Sequence, residues 1–79
     1  MMNITRKQMK ALLKAQQGEL DAVIMYKKLA EQISDPKIGA RLMEIAKDEG
    51  RHAAVFERLT HKRLPFRKFG SYRRRILHT

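Results

Sequence analysis

Residues 45–59 read IAKDEGRHAAVFERL, and at their centre stands DEGRH, residues 48–52. Glu49 and His52 are three positions apart, the spacing that puts two side chains on one face of an α-helix. Ile45, Ala46, Ala53 and Phe56 share that face. A carboxylate and an imidazole aimed into an apolar seam cost free energy unless something pairs with them. What pairs with them bears on the fold and the chemistry alike.

Upstream, residues 34–36 read SDP. Asp35 suits an N-cap and Pro36 the first helical position. The helix they open is expected from about Pro36 to about Lys62. Ile38, Leu42, Ile45, Ala46, Glu49, His52, Ala53, Phe56 and Leu59 lie along one face of it, and Pro65 ends the pattern. Residues 5–33, TRKQMKALLKAQQGELDAVIMYKKLAEQI, are rich in strong helix formers and free of proline. Leu12, Gln16, Glu19, Val23, Tyr26, Ala30 and Ile33 recur there at spacings of three and four. Asn3 or Thr5 is the candidate cap. The expected fold is all-α: an antiparallel two-helix hairpin over residues 1–62, followed by a basic tail over 63–79. Gly18 and Gly50 each stand next to a glutamate and cost about 1 kcal/mol against alanine in a helix. Gly18 reads either as a tolerated weak point or as a close backbone approach beside Glu19.

The turn serves as an origin. Glu19 lies 15 residues before position 34 and Glu49 lies 15 after it. At a helical rise of about 1.5 Å per residue the two are level across the hairpin. His52 is about one turn further on. Two carboxylates and an imidazole thus converge at one height. Carboxylates facing each other in a dry seam repel, and a divalent cation removes that penalty. Mixed oxygen and imidazole ligands suit iron, manganese or zinc. The four-helix di-iron carboxylate site takes a Glu from each of two helices and Glu-x-x-His from each of the other two. One hairpin supplies half of that set, and a two-fold pair of hairpins would supply all of it. A lone Glu-x-x-His is often a surface salt-bridge pair; the apolar surroundings and the level Glu19 distinguish this one.

Composition bounds the rest. Seventy-nine residues make one small domain, a size that often relies on a metal or a partner chain for stability. Cysteine is absent, which excludes disulfides and thiolate metal sites and is compatible with the cytoplasm. No apolar run approaches the ~20 residues of a membrane span, and MMNITRKQMK lacks the apolar core of a signal peptide. The net charge is +10. Residues 62–79 hold seven cations and no acid, against eleven cations and eight acids in the first 61. Such a tail suggests an anionic partner: nucleic acid, a lipid surface or an acidic protein face. Phe66, Phe69, Tyr72 and Ile76 have helical spacing, but Gly70-Ser71 interrupts it, so this tail is expected to be helical only when docked. Glu31, Glu44, Asp48 and Glu57 read as solvated charges, His61 and His78 as exposed, and Met9, Met25 and Met43 as packing residues.

The stretches GELDAVIMYKKLAEQI and LMEIAKDEGRHAAVFERL together resemble the ferritin-like superfamily, rubrerythrin branch, over about residues 8–62. The single-hairpin length is similar to that of encapsulated ferritins, whose metal centre forms between two chains. The family pattern is a Glu on the first helix, a Tyr two turns on, and Glu-x-x-His on the second. Glu19, Tyr26, Glu49 and His52 match it. The resemblance implies a homodimer or multiple of dimers, two irons per dimer with manganese or zinc as substitutes, and oxidation of Fe(II) by oxygen or peroxide. It implies Glu49 as a bridging ligand, Glu19 and His52 as terminal ligands, and Tyr26 as a redox-active or outer neighbour. Rubrerythrins usually carry two such hairpins, many with a cysteine-rich domain, and a diverged relative of that longer form is a further reading. The tail after Pro65 does not resemble the family; its FGSYRRR resembles tags that load cargo into encapsulin shells.

The alternative is a non-catalytic hairpin whose basic tail binds nucleic acid or another anionic surface. Glu49→Ala should abolish metal binding under the first reading and leave the second intact. Deleting 63–79 should do the reverse.

Overall fold

The computed structural model describes residues 3–67. Two helices, α1 (Arg6–Gln32) and α2 (Pro36–Thr60), pack against each other as an antiparallel hairpin. Thr5, not Asn3, caps α1. Its hydroxyl accepts from the Gln8 N–H at 3.1 Å, and the Gln8 side-chain oxygen accepts from the Thr5 N–H at 2.9 Å. This reciprocal pair satisfies two of the backbone donors that a helix start leaves open. Asp35 caps α2, its Oδ1 accepting from Lys37 and Ile38 N–H at 2.9 and 3.2 Å, with Pro36 at the first helical position.

The α2 helix stops at Thr60 rather than Lys62. His61 turns left-handed at φ 57°, and its N–H still reaches the Glu57 carbonyl at 2.8 Å. The turn delivers the Lys62 carbonyl to α1, where the Gln16 side-chain amide donates to it at 2.7 Å. Thr60 Oγ1 donates to Gln16 Oε1, also at 2.7 Å. Gln16 is only 1% exposed, and its amide is satisfied on both sides, as a buried polar group requires.

The following residues, 61–67, form a strap along α1. The Gln17 amide donates to the Pro65 carbonyl at 3.2 Å, and Arg67 Nε lies 3.2 Å from Asp21 Oδ2. Side-chain bonds from α1 hold this stretch, which is not helical. Phe69 to Arg75, the FGSYRRR segment, lies outside the described residues, as does His78.

The line of closest contact combines small side chains with the long amide side chain of Gln16. Gln16 and Val23 on α1, and Ala46, Ala53 and Thr60 on α2, are buried and recur every seven residues. That period keeps a seam facing its partner helix. A Cβ placed on Gly50 would sit 3.9 Å from Val23 Cγ2, an ordinary contact. At Gly18 it would meet nothing within 4 Å, so the close approach expected there does not occur. Leu12, Tyr26, Ile45, Phe56 and Leu59 are only half-buried, and Ile38 is 50% exposed.

Lys28–Glu31, Arg41–Glu44 and Asp48–Arg51 pair within a helix turn as expected, while Glu57 pairs with Arg63 beyond the helix end. His61 is exposed. Met43 is exposed rather than packed. No helix among the described residues is long and apolar enough to cross a membrane.

Candidate metal centre

Heptad stripes position the site. On α1, Leu12, Glu19, Tyr26 and Ile33 recur every seven residues. On α2, Ile38, Ile45, His52 and Leu59 form one such row, and Leu42, Glu49 and Phe56 form another. Glu19, Glu49 and His52 thus each interrupt an otherwise hydrophobic row, beside the line of buried contact. One carboxylate oxygen from each glutamate and one imidazole nitrogen lie within 4.8 Å of one another. His52 Nδ1 is 3.6 Å from Glu19 Oε2. The level crossing inferred from the turn holds, because both helices run unbroken from that turn to the site.

Burial is uneven across the trio. The Glu19 side chain is 25% exposed and His52 is 58% exposed. Glu19 Oε2 is buried without a hydrogen-bond donor when both carboxyls are ionised. The Glu49 carboxyl is pushed above the ordinary 4.5, first by the hydrogen bond a shared proton makes with Glu19. Burial, the Glu19 charge and the Asp48 charge add to this, and His52 opposes it. An acceptor without a donor, a neighbour that prefers to keep its proton and a half-exposed imidazole form a donor set that lacks positive charge. A divalent cation would supply that charge, and the set suits iron, manganese or zinc.

Tyr26 is half-buried in the Glu19 row, two turns or about 10 Å further along the axis.

A rubrerythrin family model matches residues 10–75. The chain belongs to the rubrerythrin family. The match runs past Pro65, so the tail is part of the family resemblance, against the expectation that the likeness ends near residue 62. Sequence reading missed this because the segment past Pro65 shows no ligand motif and no unbroken helical period. No curated protein and no solved structure matches the chain. As a rubrerythrin-family hairpin, the chain has the all-α fold and a carboxylate–histidine cluster at the level its motif spacing predicts.

Proposed function

We propose that this protein binds and oxidises Fe(II) at a di-iron centre formed between two copies of the hairpin. The observation that carries the reading is the position of the Glu19–Glu49–His52 cluster, on a face where hydrophobic heptad rows remain half-exposed. The opposite groove is partly filled by the strap, which rests on Gln17 and Asp21. One groove is therefore partly occupied by the chain itself, and the one bearing the candidate ligands is left for a second copy. Heptad rows favour the near-antiparallel packing of a four-helix bundle. Two-fold pairing would bring two Glu and two Glu-x-x-His sets together.

Bound iron supplies electrons to oxygen or peroxide, a reaction that zinc at the same ligands cannot perform. The protein's residues set the conditions for loading. Glu49 gives up the proton it shares with Glu19, so loading releases protons and improves as pH rises. His52 would bind through a neutral ring nitrogen. Glu19, Glu49 and His52 of each copy would hold the iron. Tyr26 stands in the same row as a candidate proton and electron donor.

Anaerobic Fe(II) titration with light scattering, followed by oxygen exposure, tests the reading. The expected result is about one iron per chain, a dimer or multiple of it, and a new near-ultraviolet band after oxygen. Glu49→Ala should abolish binding. Tyr26→Phe should leave binding intact and slow the oxidation. A monomer that takes up no iron, or uptake unchanged by Glu49→Ala, would overturn the proposal.

A further inference from the structure

The acids of this chain are concentrated at one end of the hairpin. Residues 19–53 contain seven of the eight acidic residues, and residues 3–18 contain none. The open end, where α1 begins and α2 finishes, is therefore strongly basic. Arg6 and Lys7 occupy the first turn of α1, which has no acidic residue. Cations there oppose the helix dipole. Among the described residues, Lys7, Lys10, Lys14 and Lys62 are exposed and form no ion pair. Their grouping adds self-repulsion to the fold and stabilises nothing visible in it.

Their alignment is specific. Lys7, Lys10, Lys14, Gln17 and Asp21 follow steps of three and four along α1, which places them on one face. Gln17 and Asp21 are the residues that hold Pro65 and Arg67 of the strap. The three lysines continue the line on which the strap lies, so the fold joins two distant segments into one basic strip. Phe66 stands in the strap between Pro65 and Arg67, 57% exposed. An exposed aromatic ring in a row of cations matches a single strand of nucleic acid, whose phosphates follow the charges while a base stacks on the ring. A lipid surface fits less well, because a helix lying on a bilayer places a broad apolar face beside its cations. Here Lys7, Lys10 and Lys14 lead along α1 into Gln17 and Asp21, a polar line rather than a broad apolar face.

We propose that this strip binds single-stranded nucleic acid, with Lys10, Lys14 and Lys62 on phosphates and Phe66 against a base. The strip lies away from the Glu19–Glu49–His52 face, so the proposal stands independently of iron chemistry.

The test is fluorescence anisotropy of the full-length protein with a labelled oligothymidylate of about 20 nucleotides, in chelator, from about 50 to 200 mM salt. Binding is expected to weaken with salt, with a logarithmic slope near −0.7 per phosphate contacted. The double variant Lys10→Glu/Lys14→Glu should weaken binding at least about tenfold and flatten that slope by about one or more. Phe66→Ala should weaken it about fivefold or more. Both sites are exposed, and circular dichroism checks that the helices persist. Absence of wild-type binding at low salt would overturn the proposal. So would undiminished binding by the double lysine variant, or binding to phosphatidylserine vesicles in preference to the oligonucleotide.

Discussion

His52 Nδ1 on α2 lies 3.6 Å from Glu19 Oε2 on α1, and Glu49 completes a cluster whose ligand atoms fall within 4.8 Å. One hairpin brings together three groups that do not suit one another without added positive charge. Glu19 lacks a donor for a buried oxygen, and Glu49 holds its proton above the usual carboxylate range.

The first prediction follows from that proton. A raised native pKa means that the folded state binds a proton more tightly than the unfolded chain. Stability of the metal-free protein should therefore fall as pH rises from about 4.5 through the native value of Glu49, then stay lowered above it. Glu49→Gln removes the charge and keeps the shape. In chelator, its melting temperature should exceed that of the wild type at neutral pH, and the difference should shrink toward pH 4.5. A difference that does not change with pH would show that Glu49 does not titrate in this crowded environment.

Under the proposed two-copy centre, metal and assembly should be linked. Anaerobic Fe(II) or Mn(II) at about one hundred times its dissociation constant should add about 2.7 kcal/mol to stability. The gain should appear as a higher melting temperature that also rises with protein concentration. Sedimentation should show dimers favoured by metal. A loaded protein that sediments as a monomer would count against an inter-subunit centre.

Gln16 joins the two ends of the hairpin through bonds of 2.7 Å to both Thr60 and Lys62. Gln16→Leu keeps most of the volume but removes both 2.7 Å bonds, leaving the Thr60 hydroxyl and Lys62 backbone only their longer contacts with each other at 3.3 and 3.4 Å. The expected loss is about 1–3 kcal/mol, read from the urea midpoint at constant slope. A loss within error would mean that water replaces the amide at no cost.

Gly18→Ala should stabilise the protein. The added Cβ meets nothing within 4 Å, and alanine is favoured over glycine in a helix interior by up to about 1 kcal/mol. Iron uptake should be unchanged. Lost uptake with an intact fold would restore the close-approach reading of Gly18 within the assembled protein.

Much of this was legible in the sequence. Helix periodicity and the Ser34–Asp35–Pro36 turn are local features, governed by backbone geometry and caps. With two unbroken helices, equal distance from the turn makes Glu19 level with Glu49, and the i, i+3 spacing adds His52 to the same face. The hairpin and the ligand trio therefore follow from short-range rules. The path of residues 61–67 does not. It depends on Gln16 donating to Lys62, Gln17 to Pro65 and Arg67 pairing with Asp21, with the first two bonds joining positions 46 and 48 apart. Single polar contacts at such separations leave no periodic trace. Only the tertiary structure decided which groove the strap lies along, which apolar face stays open beside the candidate metal ligands, and that the lysines of α1 line up with the strap.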